Sequence, residues 1–167
     1  NLGADFNYDK ESNFYTVKSK NLKGANILLD EPSVTGTANI LMASVLAEGK
    51  TVIYNAACEP YLQQLSKMLV SMGANILGIG SNRLIVNGVK KLNGTSHTLL
   101  PDMVEIGSWI GLAAMTRSEL TIKNVRWDYL GQIPSTFKRL GINIEKVDDD
   151  IYIPCLLYTS PSPRDPH

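Results

Sequence analysis

Between Asp30 and Pro60 the chain passes from small polar residues to a dense apolar run, then to a short β-branched run, then to small residues again. Ser33, Thr35, Gly36 and Thr37 form the first polar cluster, and Ile40, Leu41, Ala43, Val45, Leu46 and Ala47 follow. This predicts a helix over 36–48 that is apolar on nearly every side and therefore buried on most of them. Gly49 is placed to end it, and Thr51–Tyr54 has the composition of a strand. A helix start that gathers hydroxyls and unpaired backbone N–H groups holds the parts of an anion site.

The same order of elements recurs. Leu2-Gly-Ala-Asp5, Met72-Gly-Ala-Asn75 and Leu140-Gly-Ile-Asn143 are three versions of one phrase. Each stands where a helix ends through a left-handed glycine and a strand pair begins. The predicted pairs are 6–8 with 14–17, 76–79 with 83–86, and 144–147 with 151–153. Upstream, Val52–Asn55 lines up with Thr121–Asn124, each after an apolar helix (36–48 and 102–116). A second helix follows each strand: 61–72, with Leu62, Leu65, Met68, Leu69 and Met72 on one face, and 129–140, with Ile133, Phe137 and Leu140. The unit is strand, helix, strand, helix, strand, strand. One such unit cannot cover both faces of its helices and sheet, so units must pack on one another. The chain holds the end of one unit, a complete one and most of a third.

Composition narrows the function. Lys plus Arg balances Asp plus Glu at 16 each, so no net field recruits nucleic acid or an acidic membrane surface. No apolar run approaches the roughly 20 residues a bilayer span needs. No charged-then-apolar leader opens the sequence, and Cys58 and Cys155 make no disulfide framework. A reduced, cytoplasmic setting is expected. Asn93-Gly94-Thr95 fits a glycosylation acceptor but is read as a polar turn. After Ile153-Pro154 the sequence CLLYTSPSPRDPH loses all periodicity. Residues 155–167 are expected to be a foreign, disordered tail.

The segments SVTGTANILMASVLAEGKTVIYNAACEPYLQQL and LPDMVEIGSWIGLAAMT together resemble the UDP-N-acetylglucosamine 1-carboxyvinyltransferase family. The resemblance runs from Asn1 to Pro154. The sister 3-phosphoshikimate 1-carboxyvinyltransferase family shares the fold but lacks this combination. It implies an α/β fold in which βαβαββ repeats build two inside-out α/β barrel domains around an active-site cleft. Residues 1–99 would be the C-terminal part of the first domain, and 100–154 the N-terminal part of the second. The implied reaction moves the enolpyruvyl group of phosphoenolpyruvate to the 3-hydroxyl of UDP-N-acetylglucosamine, in peptidoglycan precursor synthesis. It proceeds by addition and then loss of phosphate, with no metal or organic cofactor. The family's catalytic residues match no position here, so no catalytic residue is assigned and the chain alone is expected to be inactive. A fragment of the sister enzyme and a non-enzymatic repeat module are the alternatives.

Ser33 and Val34 match the family's contacts to the diphosphate region of the nucleotide sugar, with Glu31 and Pro32 beside them. Read from the residues alone, Ser33 is a helix N-cap. Glu31 departs from the basic residue of some relatives, and a carboxylate there would repel a diphosphate. Asp102 and Glu105 are spaced as a helix cap, and Met103 replaces the arginine of many relatives. Glu59 reads as a first-turn acid and Cys58 as a small, partly buried residue. His97 has no second ligand at metal spacing. Gly78-Ile-Gly80 lacks the strand–turn–helix setting of a dinucleotide loop. Arg126, Trp127 and Arg139 read as solvated surface.

Overall fold

The computed structural model describes residues 2–155. The expected foreign tail, Cys155 apart, lies outside the described residues. The chain separates into two compact units, Asn1–Leu99 and Leu100–His167.

The first unit opens on an antiparallel hairpin, β1 (Asp5–Asp9) and β2 (Phe14–Lys18). It continues as β3 (Asn26–Leu28), α1 (Val34–Ser44), β4 (Lys50–Tyr54), α2 (Pro60–Ser71), β5 (Asn75–Leu77) and β6 (Arg83–Asn87). Their sheet has the order β3-β4-β6-β5. β3 and β4 run parallel through α1, and β6 is antiparallel to both its neighbours. The second unit holds α3 (Met103–Thr116), β7 (Leu120–Ile122), a 3₁₀ turn (Trp127–Tyr129), α4 (Ile133–Arg139), β8 (Glu145–Val147) and β9 (Asp150–Ile153). Its sheet order, β7-β9-β8, reproduces β4-β6-β5. The repeat is therefore structural as well as verbal. Gly3, Gly73 and Gly141 all have positive φ, +81°, +105° and +82°, so the recurring phrase marks one backbone conformation.

Each unit has its own core. In the first, Leu41, Val45, Ile53, Leu69, Ile76, Leu84 and Val86 close between α1, α2 and the sheet. In the second, Ile106, Ile110, Val125, Leu130, Ile151 and Ile153 do the same. Period-two burial on β9, where Ile151 and Ile153 are buried and Tyr152 is not, follows from strand geometry.

Three sequence expectations need correction. The first helix ends at Ser44, well short of Gly49. Beyond it the backbone is taken by tertiary partners: Val89 N–H donates to the Val45 carbonyl at 2.9 Å, and Gly24 N–H to that of Glu48 at 2.7 Å. Nor is this helix buried on most sides. Thr37, Leu41 and Ser44 form the buried stripe, while Met42 and the following Leu46 stay exposed. The helix expected over 129–140 is shorter, because Gly131 at φ +55° breaks the run and Pro134 can only enter at a helix start.

Large apolar side chains are left bare in both units. Phe6, Tyr15 and Val17 share one face of the first hairpin, Leu28 lies on β3, and Met115 on α3 is 86% exposed. The purified chain should bind a fluorescent apolar-surface dye such as ANS and self-associate. A monomeric, cooperative melt without dye binding would contradict this.

Thr51 on β4 is fully buried, yet its hydroxyl has no hydrogen-bond partner among the described residues. Thr51→Val keeps the shape and removes the desolvated hydroxyl. It should raise stability by about 1 kcal/mol in a denaturant titration.

Candidate functional site

β3 and β4 run side by side and end in register, Leu28 opposite Tyr54. Each strand then leads through a turn into a helix, β3 into α1 and β4 into α2. The turns 29–33 and 55–59 thus lie together beyond the carboxyl ends of parallel strands, the place where open α/β sheets bind ligands. Leu29 N–H donates to Tyr54 O at 3.1 Å, and Asn55 Nδ2 donates to Leu29 O at 3.0 Å. Asn55 itself is left-handed, at φ +56°, and its counterpart Asn124 has the same φ.

Ser33 is the N-cap of α1, with φ −72° and ψ 123°. Its hydroxyl accepts from Gly36 N–H at 3.1 Å, and its carbonyl accepts from Thr37 N–H at 2.9 Å. Capping leaves the hydroxyl proton of Ser33 free to be donated outward. The N–H groups of Val34 and Thr35, in the first turn, have no acceptor among the described residues. These three donors all lie at the start of α1, where the helix dipole favours negative charge.

Thr37 departs from expectation. It is fully buried, donates to Ser33 O at 2.7 Å and accepts from Ala57 N–H at 3.0 Å. Its hydroxyl fastens the second turn to the start of α1 and is unavailable to a ligand. Glu31 and Pro32 shape the first turn, with Ser33 N–H donating to the Glu31 carbonyl at 2.7 Å. The side chains of Asp30 and Glu31 are exposed carboxylates that oppose an anion approaching from their side.

Cys58 is exposed rather than partly buried, because it stands at the lip of the second turn, just before Pro60 opens α2. Glu59 is the N-cap residue of α2 without a side-chain cap bond, and its Oε2 is buried with no partner among the described residues. In the second unit, Asp102 caps α3 by accepting from Val104 N–H at 2.8 Å and Glu105 N–H at 3.2 Å. Arg126 lies over the Tyr129 ring at 5.5 Å, and Trp127 Nε1 donates to Asp150 O at 3.1 Å. Both are held within their unit. Among the described residues no group of three His, Cys, Asp or Glu could hold a metal ion, and no helix is long and apolar enough to cross a membrane.

Sequence reasoning passed over Asn55, and it counted Thr37 among the available hydroxyls instead of as the fastening between the two turns. Their signals were present: a Thr four residues after an N-cap Ser, and an Asn that recurs at 124 after the equivalent strand.

A βαβαββ unit repeated in two units, with parallel strands feeding helices, defines a repeat-built α/β fold. The chain belongs to the family described as EPSP synthase (3-phosphoshikimate 1-carboxyvinyltransferase), which it matches over residues 1–155. Within that family it is 64% identical over 154 residues to the UDP-N-acetylglucosamine 1-carboxyvinyltransferase of Bacteroides fragilis, a match covering 92% of this chain and 36% of that protein. The enzyme of the same name from Porphyromonas gingivalis is 60% identical, with 92% and 35% covered. The chain thus spans 35–36% of the length of these relatives. Among solved structures, the enolpyruvyl transferase NikO from Streptomyces tendae superposes with a TM-score of 0.75 at 18% identity, covering 93% of this chain and 40% of that one. EPSP synthase from Acinetobacter baumannii gives 0.63 at 22% identity, covering 92% and 37%. These two likenesses establish the enolpyruvyl transferase fold.

Proposed function

We propose that this chain is part of a UDP-N-acetylglucosamine 1-carboxyvinyltransferase. The whole enzyme would move the enolpyruvyl group of phosphoenolpyruvate to the sugar 3-hydroxyl, in the cytoplasm, for peptidoglycan precursor synthesis. The observation that carries this reading is identity of 60–64% over 92% of the chain with proteins of that name. The sister reaction on shikimate 3-phosphate is less favoured, since the solved EPSP synthase is only 22% identical.

Residues 1–99 and 100–154 would belong to the two domains, with the crossing at Leu99/Leu100. This chain's share of the work is binding. Ser33 would donate its hydroxyl proton to a diphosphate oxygen, and the N–H groups of Val34 and Thr35 would stand beside it. A hydrogen bond to a charged oxygen contributes about 1.5–3 kcal/mol, and the helix terminus adds about 0.3–1 kcal/mol. Glu31 and Pro32 would set the turn's shape without contributing attraction.

In the longer enzyme that contains this segment, Ser33→Ala should weaken UDP-N-acetylglucosamine binding about tenfold, measured by calorimetric titration. Asp caps a helix as well as Ser does. Ser33→Asp should therefore keep the melting temperature while binding falls at least as far, because its carboxylate meets the diphosphate. Unchanged affinity in both variants would leave Ser33 a helix cap and nothing more. Tight binding of shikimate 3-phosphate instead of the UDP-sugar would establish the sister activity.

A further inference from the structure

The chain contains two Asn-Gly pairs, Asn87-Gly88 and Asn93-Gly94, and the fold treats them in opposite ways. Asn87 closes strand β6, paired with Lys50 on one side and Asn75 on the other. Its Nδ2 donates to Asn75 Oδ1 at 3.2 Å, and Gly88 N–H donates to Gly49 O at 2.9 Å. Gly88 is also packed so closely that a β-carbon there would overlap the Ala47 carbonyl. Nothing in that pair is free to move.

Asn93 and Gly94 lie in the irregular stretch between β6 and α3, and both are exposed. The stretch is tied to α2 and its C-cap through the Asn93 backbone N–H and through residues beyond the pair, and not through the Asn93 side chain or the Gly94 N–H. Asn93 N–H donates to Met72 O at 2.7 Å, Thr95 Oγ1 and Ser71 Oγ are 2.9 Å apart, and Gln64 Nε2 donates to Thr98 O at 2.9 Å. The Asn93 side-chain amide and the Gly94 N–H have no hydrogen-bond partner among the described residues. Around Gly94 there is open space, with nothing within 4 Å of where a β-carbon would stand.

We infer that Asn93-Gly94 is a site of spontaneous deamidation and isoaspartate formation, and that Asn87-Gly88 is not. The reaction needs the Gly94 backbone nitrogen to reach the Asn93 side-chain carbonyl carbon. A bond forms between that nitrogen and Cγ, the Cγ–Nδ2 bond breaks, and ammonia leaves with the proton from the Gly94 amide. The product is a five-membered succinimide. Water then opens the imide at either carbonyl, giving Asp or isoaspartate at position 93. No oxidant, metal or enzyme is required. A residue without a side chain at 94 lets the backbone swing into the attacking geometry, and an amide bonded to a neighbouring segment just beyond a strand pair, as Gly88 N–H is to Gly49 O, cannot leave it without local opening. The new carboxylate at 93 stands next to the C-terminal carbonyls of α2, where the helix dipole disfavours negative charge. Modification therefore loosens the stretch that leads out of the first unit.

The test is direct, because trypsin places the two pairs on separate peptides, Leu84–Lys90 and Leu92–Arg117. The intact chain is incubated in mildly alkaline buffer, digested and followed by mass spectrometry, with isoaspartyl methyltransferase labelling as a second readout. Conversion should be faster in Leu92–Arg117 than in Leu84–Lys90 by on the order of tenfold or more. In urea the two rates should converge, since only the fold distinguishes the pairs. Asn93→Gln should abolish labelling of the peptide that begins at Leu92, and Gly94→Ala should slow it strongly. Equal conversion of both pairs in the native chain, or faster conversion at Asn87, would overturn the inference, as would an unmodified Asn93 alongside rapid conversion in urea.

Discussion

Gly88→Ala should unfold the first unit or cost it about 3 kcal/mol or more, the largest effect of any single methyl group added to this chain. A β-carbon at 88 would overlap the carbonyl of Ala47, which is main chain and cannot rotate aside as a side chain would. The only relief is to separate the end of β6 from the loop after α1. That movement breaks the Gly88 N–H bond to Gly49 O and the Val89 N–H bond to Val45 O, both 2.9 Å long. Val45 and Ala47 are buried, so the separation also opens the core beneath α1. Chemical denaturation of the variant should show a lower midpoint, and circular dichroism should show loss of native signal if the midpoint falls below zero denaturant. Gly94→Ala is the matched control: open space surrounds Gly94, so its stability should stay within about 0.5 kcal/mol of the parent. Equal behaviour of the two variants would mean that the close approach at Gly88 does not hold in solution.

Thr37→Val should be the second largest loss, about 2–4 kcal/mol, because one buried hydroxyl serves two backbone groups. With the hydroxyl gone, Ala57 N–H, now bonded to Thr37 Oγ1 at 3.0 Å, is left buried without an acceptor. Ser33 O loses its 2.7 Å bond as well, though it keeps the one from Thr37 N–H. Thr37→Ser retains the hydroxyl and should recover most of the stability. The contrast with Thr51→Val is the sharper check, since both threonines are fully buried and both changes swap a hydroxyl for a methyl. The expected effects have opposite signs, because one hydroxyl is bonded twice and the other not at all. On the proposed function, Thr37→Val should also weaken nucleotide-sugar binding in a longer enzyme carrying this segment, because the turn 55–59 would no longer be fastened to the start of α1. If both variants shift the denaturation midpoint in the same direction, burial alone and not hydrogen bonding governs these positions.

The repeat was legible from short-range signals. A Leu-Gly or Met-Gly phrase with an Asp or Asn two residues after the glycine and a strand beyond it is a local statement, because a left-handed cap depends on the residue that occupies it. The three glycines at 3, 73 and 141 take that conformation in every copy. Strand pairs joined by tight turns are equally local, and the hairpins formed where alternation and turn residues placed them, within a residue or two. The cap at Ser33 and the cap at Asp102 belong to the same class of signal.

The end of the first helix was not legible. Residues 45–48 have helical composition, and an isolated peptide would continue through them. They leave the helix because Val89, Leu22 and Gly24 supply backbone partners from distant parts of the chain. The same holds for the roles of the hydroxyls. Ser33, Thr35 and Thr37 look alike in sequence, yet Thr35 is exposed, Ser33 is half-buried with a proton free to donate, and Thr37 is sealed inside. Which of them can meet a ligand depends on the turn 55–59 lying against the helix start.

Sequence alone therefore determined the order of the elements, their repetition, the N-caps at Ser33 and Asp102 and the left-handed glycines of the recurring phrase, since each rests on residues within a few positions of one another. Tertiary structure alone decided where α1 stops, which hydroxyls at its start stay free, and which of two identical Asn-Gly pairs is locked. Those outcomes depend on hydrogen bonds and close approaches between residues tens of positions apart, and local pattern carries no record of them.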